Sequence, residues 1–170
     1  MLIGGLEKTT LVDFPGKVAA TIFTQGCSFR CPYCHNPELV IPAQFQEPLT
    51  EEMIFDFLHK RVGKLDGVCI TGGEPTLQHD LRQFITRIKN MGYAVKLDTN
   101  GSHPTHLEQI LADGHIDYIA MDIKSHLDAY PALTFTATAS PAVQKSIQLI
   151  MQSGFDYEFR TTVAHPLHTP

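Results

Sequence analysis

The chain has 170 residues, 43% of them apolar, and a formal net charge of −5 at pH 7. That apolar content can fill one good core, so a single domain over residues 1–170 is expected, while the acidic balance argues against a nucleic-acid or membrane surface, since both call for a basic stripe. No apolar run approaches the roughly 18 residues that cross a bilayer, and residues 1–16 hold acidic residues and no apolar block of signal-peptide length, so the expected location is cytoplasmic.

Apolar runs bounded by Gly, Pro or Asn recur at 18–23, 68–70, 94–97, 118–121 and 157–163, and each has the length of a strand. Helical spacing lies between them. Thr50-Glu51-Glu52-Met53 starts the first helix with acidic residues in its opening turn, and Met53, Ile54, Phe57 and Leu58 form its predicted apolar stripe. The second helix is expected over 77–90, with Leu81, Phe84, Ile85 and Ile88 inward and Gly92 as its stop; the third over 105–112; the fourth over 141–151, stopped by Gly154. Strand and helix in alternation predict an α/β fold, a parallel sheet covered by helices. Such sheets place ligands at the carboxyl ends of their strands, open or rolled into a barrel. Residues 27–34, 72–74, 98–101, 122–124 and 165–168 follow the five strands in turn, which predicts one shared site.

Three of the four cysteines, Cys27, Cys31 and Cys34, fall within eight residues directly after the first strand. Thiols so close act together, and in a reducing compartment they point to metal or catalysis rather than to disulfides. Cys31-Pro32-Tyr33-Cys34 alone is a thiol-redox pattern, which leaves Cys27 idle. Cys31-x-x-Cys34-His35 fits c-type haem attachment, which occurs after export. A zinc site from Cys27, Cys31, Cys34 and His35 is chemically open, although structural zinc normally ties two separated ligand pairs together. A four-iron cluster held by three thiolates would keep one iron free for chemistry. Cys69, inside the second strand, reads as a small buried hydrophobe. His59, His79, His103, His106, His115 and His126 are scattered and read as surface.

The spacing Cys27-x3-Cys31-x2-Cys34, with Tyr33 before the last cysteine, resembles the signature of the radical S-adenosylmethionine (SAM) enzymes, and Thr71-Gly72-Gly73-Glu74-Pro75 resembles their Gly-Gly-Glu element. The flanks 11–16 (Leu-Val-Asp-Phe-Pro-Gly), Cys34-His35-Asn36-Pro37, Asp98-Thr99-Asn100-Gly101 and Met121-Asp122-Ile123-Lys124 are similar to the glycyl-radical-enzyme activases. The likeness is strongest to anaerobic ribonucleoside-triphosphate reductase activating proteins, with pyruvate formate-lyase activating enzymes next, and it covers residues 1–168.

The resemblance implies a partial (β/α) barrel and a [4Fe-4S] cluster on Cys27, Cys31 and Cys34 whose open iron chelates SAM. Reductive cleavage of SAM would then remove hydrogen from a glycine of a glycyl radical enzyme, here anaerobic ribonucleotide reductase, with flavodoxin or ferredoxin as electron donor. By the same resemblance Tyr33, Gly72, Gly73, Glu74 and Asn100 belong to the cofactor site, with Glu74 taking the SAM amino group. Asp98, Thr99, Asp122 and the carbonyl of Ala120 would hold a monovalent cation near the SAM carboxylate, against the plainer reading of Asp98 and Asp122 as helix N-caps. Lys124 would face the SAM carboxylate or the incoming peptide, and Asp13 that peptide. Phe29 and Arg30 would shield and charge-balance the cluster, with His35 and Asn36 shaping its loop. Activases of this kind usually have six strand–helix units, so a chain with five predicts a missing wall and an unpaired sheet edge. A small-molecule radical SAM enzyme, such as a deazaguanine synthase, shares the cluster and Gly-Gly-Glu elements and remains an alternative.

Overall fold

The computed structural model describes residues 1–165 and 167; of the segment expected after the fifth parallel strand, Pro166 and His168 lie outside the described residues. One sheet of six strands runs β1 (Ile3–Thr10), β2 (Ala19–Thr24), β3 (Gly67–Gly72), β4 (Ala94–Thr99), β5 (Tyr118–Asp122) and β6 (Asp156–Arg160) in sequential order. β1 pairs antiparallel with β2, and every later pair is parallel. β1 precedes the first strand expected from the sequence, at 18–23, and no apolar run marks it, because Gly4, Gly5, Glu7 and Lys8 interrupt it.

The helices are α1 (Glu51–His59), α2 (Leu81–Asn90), α3 (Pro104–Asp113), the short α4 (Tyr130–Thr134) and α5 (Ala139–Gln152). Thr50 caps α1, its hydroxyl accepting from the Met53 amide at 3.2 Å. Met53, expected inward, is exposed; Phe55 is buried instead, edge-on to Phe84 with ring centroids 5.1 Å apart and under the Arg87 guanidinium. The second helix begins at 81 rather than 77, because Pro75–Leu77 form a separate 3-10 turn.

Parallel crossovers are right-handed, so a sequential strand order sends each crossover to the same face, the winding of a barrel wall rather than of a doubly wound sheet. That face is apolar. Ile22, Ile70, Leu97, Ile119 and Met121 meet Ile54 and Leu58 of α1, Phe84 and Ile88 of α2, Leu107 of α3 and Val143 and Ile150 of α5 in one cluster.

The alternate residues face the other way, and most of them are polar. The register aligns Thr21, Cys69, Lys96 and Tyr118 in one row, Asp98, Ala120 and Glu158 in the next, and Asp122 beside Arg160 at the carboxyl end. Lys96 is only 1% exposed, and a buried ammonium needs partners. It has Asp98 at 3.0 Å, the carbonyl of Asp13 at 2.6 Å and Glu158 at 3.7 Å.

The centre and the edge of the apolar face, where the register sets Ile70 and Tyr157 in one row, differ in what they contribute to stability. Ile70→Ala, in the fully buried centre of β3, is expected to cost about 2–5 kcal/mol in urea denaturation. Tyr157→Ala on β6, where the ring is 40% exposed, is expected to cost under about 1 kcal/mol.

Candidate functional site

The loops that leave the parallel strands at their carboxyl ends converge on one cavity. It is lined by Cys27, Tyr33, Cys31 and Cys34 after β2, Gly72 to Glu74 after β3, Asp98 to Asn100 at the end of β4, and Asp122 and Lys124 at the end of β5. His35, Asn36, Thr71 and Pro75 also line it, and Phe29, Val40 and Thr162 complete the wall. Of the residues expected at a shared site, Asp13, Ala120, Arg30, Gly101 and His165 are among those that do not line the cavity. Because β1 runs antiparallel, residues 11–16 turn at the amino ends of the other strands. From there the Asp13 carboxylate accepts from the Thr21 hydroxyl at 2.6 Å, beneath the site. Ala120 sits inside the sheet between Asp98 and Glu158.

Burial, reinforced by the Glu74 carboxylate, pushes the Cys27 thiol up to about 12. Burial also raises Cys31, with the Lys124 ammonium opposing it. Thiols held in this way need a bound cation to ionise them. Two donors already face the Cys27 sulfur, the Phe29 amide at 3.4 Å and the Asn100 side-chain amide at 3.5 Å. Among the described residues no three Cys, His, Asp or Glu side chains converge as the ligands of one ion do. A cube spreads its three thiolates over three irons and requires no such convergence, and a soft, all-thiol donor set suits it. Tyr33 is pushed up to about 12 by burial and the neighbouring thiols and aspartate, and so remains a neutral phenol.

Gly72 and Gly73 are required by packing within the chain. A Cβ on Gly72, at φ +114, would meet the Thr24 backbone, and one on Gly73 would fall 2.1 Å from the Gly26 carbonyl oxygen. That closeness lets the Glu74 amide donate to the same carbonyl at 2.8 Å, tying the Gly-Gly-Glu turn to the start of the cysteine loop. Glu74 itself is fully buried. Its carboxylate accepts from the Thr76 amide at 3.0 Å, the Thr76 hydroxyl, the Thr99 hydroxyl at 2.7 Å and the Asn100 amide at 2.6 Å. It therefore caps the 3-10 turn and clamps the end of β4.

Asp98 and Asp122 do not cap helices; His103 precedes α3 and His126 the turn after β5. The Arg160 guanidinium bridges them, at 3.1 Å from each. Lys96 takes the other oxygen of Asp98, and Lys124 takes the other oxygen of Asp122 at 2.9 Å. With each of the four oxygens already facing a cationic side chain, the residues do not fit an added monovalent cation. Burial alone would raise the Asp122 carboxyl, but Lys124 and Arg160 hold it below the ordinary carboxylate range. The same aspartate keeps the buried Lys124 charged.

Arg160, Lys96 and Tyr130 were not singled out from the sequence. Both cations sit at alternate positions of strand runs, a signal open to reading. Tyr130 lies in a helix too short to show periodicity. Its ring packs edge-on to Phe29, with centroids 6.2 Å apart, and its hydroxyl accepts from the Lys124 amide at 2.8 Å, linking the cysteine loop to Lys124. Cys69 is fully buried, as expected.

Residues 21–169 match the model of the radical SAM superfamily. The chain belongs to the radical SAM superfamily. A Methanocaldococcus jannaschii protein named as a glycyl-radical enzyme activating enzyme is 36% identical over 169 residues, covering 95% of this chain and 68% of that protein. The pyruvate formate-lyase-activating enzyme of Clostridium pasteurianum is 36% identical over 132 residues, covering 74% of this chain and 53% of its own length. These place the chain in the glycyl-radical enzyme activating branch of the radical SAM superfamily, of whose members it spans between about half and two thirds. The crystal structure of Streptococcus suis SuiB bound to precursor peptide SuiA shares the fold, with a TM-score of 0.62 at 16% identity over 82% of this chain and 31% of that one. No helix among the described residues is long and apolar enough to cross a membrane.

Two outcomes follow for the metal-free protein. Gly73→Ala is expected to lower its thermal midpoint, because the clash lies within the chain; an unchanged midpoint would mean that the glycine serves only a ligand. Because its folded-state pKa is depressed, Asp122 contributes stability that is complete above the unfolded carboxylate pKa and is lost as pH falls through the folded value. Asp122→Asn is therefore expected to flatten the acid limb of a plot of thermal midpoint against pH.

Proposed function

We propose that this chain performs the activating chemistry of its branch, removing a hydrogen atom from a glycine Cα of a partner glycyl radical enzyme. The observation that carries this reading is the convergence of the three-cysteine loop with the ends of β3, β4 and β5 on one cavity. Cys27, Cys31 and Cys34 would hold a [4Fe-4S] cluster, and the turns at Gly72–Glu74, Asp98–Asn100 and Asp122–Lys124 would receive SAM. When bound, the cluster and SAM supply reductive cleavage of the sulfonium and the capacity to take a hydrogen atom.

The chain's own residues supply position and charge. Lys124, fixed through its amide by Tyr130 and through its ammonium by Asp122, presents a positive group for a carboxylate of SAM or for a peptide carbonyl. Phe29 and Val40, both buried, keep water from the cysteine side. Glu74 has one oxygen with a single donor, which leaves it an accepting position for an ammonium beside the Asn100 amide. Glycine suits such a reaction because its Cα radical is stabilised by both flanking peptide groups and no side chain blocks access.

Anaerobic ribonucleoside-triphosphate reductase is the proposed partner, on the resemblance of the motifs flanking the cysteine loop, with flavodoxin or ferredoxin as electron donor. The identity to the Clostridium pasteurianum enzyme supports pyruvate formate-lyase as the second reading.

Anaerobic reconstitution with iron and sulfide, followed by dithionite and SAM, tests the chemistry. About four irons per chain are expected, with an EPR signal altered by SAM and formation of 5′-deoxyadenosine, all lost in Cys27→Ala. Zinc in place of iron would contradict the proposal. Incubation with each partner enzyme, reading its glycyl radical by EPR, separates the two partner assignments.

A further inference from the structure

We infer that Asn100 sets the reduction potential of the cluster through the sulfur of Cys27. The inference rests on the reading that Cys27, Cys31 and Cys34 hold an iron–sulfur cluster, and it assigns to Asn100 a positioning and tuning task. Asn100 follows β4 directly and is 6% exposed. Its side-chain carbonyl accepts from the Ser102 amide at 2.9 Å, which fixes the orientation of the carboxamide and turns its nitrogen toward the Cys27 sulfur at 3.5 Å. Its backbone amide donates to Glu74 at 2.6 Å, so the residue is anchored to a fully buried carboxylate. A second tie joins the same two loops, the Ser102 and Ser28 hydroxyls at 2.6 Å. The carboxamide is thus held against the sulfur from both ends of its own turn.

Adding an electron to a cluster adds negative charge that its thiolates share. An N–H dipole aimed at one of those sulfurs stabilises the reduced form more than the oxidised form and raises the potential. Cys27 is partly buried against the core, where such a dipole is screened less than in water. The Phe29 amide, also directed at this sulfur, comes from the backbone and survives side-chain substitution. Asn100 is therefore the adjustable half of the pair. Leucine in its place keeps the shape and removes the donor. Aspartate keeps the contact to Ser102 and replaces the donor by a negative acceptor.

The test needs neither SAM nor a partner protein. Wild type, Asn100→Leu and Asn100→Asp are reconstituted anaerobically, their iron and sulfide counted, and each titrated with dithionite, one electron per cluster, while EPR follows the reduced form against solution potential. With iron content unchanged, Asn100→Leu is expected to lower the reduced-to-oxidised ratio at fixed potential about tenfold, equivalent to about 59 mV toward more negative potential, and Asn100→Asp to lower it further. Equal midpoints in all three proteins at full iron content would overturn the inference. Absence of a cluster in the wild type would instead overturn the reading on which it rests. Where Asn100→Leu takes up no iron, Asn100→Ser replaces it; if neither assembles a cluster while the wild type does, Asn100 acts in assembly and the inference falls.

Discussion

A carboxylate without solvent must find its donors inside the protein, and Glu74 finds four, from Thr76, Thr99 and Asn100. Because those donors come from the turn after β3 and the end of β4, the two loops are fixed to each other. Because the neighbouring amide reaches the Gly26 carbonyl, the cysteine loop is fixed to both. Losing a donor would leave part of a buried charge uncompensated, a cost of about 1–3 kcal/mol or more. The clamp therefore holds the geometry of the whole site, and Asn100 transmits it to the Cys27 sulfur.

Beneath the clamp the sheet keeps two unlike faces. The apolar face packs the helices and supplies stability. The other carries Lys96 and Asp98 of β4, Asp122 of β5 and Glu158 and Arg160 of β6, with Lys124 at the rim; within this group positive and negative side chains meet in contact. A low-dielectric interior makes each unpaired charge costly, so the network either holds together or fails together. That rigidity suits a surface on which a charged cofactor and a peptide must be placed side by side.

Much of this was legible in the sequence because the signals were local. The cysteine spacing, the Gly-Gly-Glu turn and the strand polarity together predicted the shared site, and the helical stripe of Leu81, Phe84, Ile85 and Ile88 was read correctly. What escaped was non-local. β1 is a strand because it pairs with β2, not because its own residues favour one. Asp13 was placed with the site by motif likeness, and the antiparallel run of β1 puts it below. Asp98 and Asp122 carry Arg160 between them, 62 and 38 residues away in sequence, a partnership that only the sheet register creates. The glycines of the Gly-Gly-Glu turn illustrate the same limit: their need for small size comes from Thr24 and Gly26, which no spacing rule names.

The central claim is that three thiolates hold a cube and leave one iron open at the mouth of the sheet. Mössbauer spectroscopy of protein reconstituted with isotopically enriched iron, recorded with and without SAM, tests it most directly. The account predicts a cluster of about four irons in which one changes its parameters on adding SAM while the others do not. A spectrum that SAM leaves unchanged, or a cluster of another nuclearity, would contradict it.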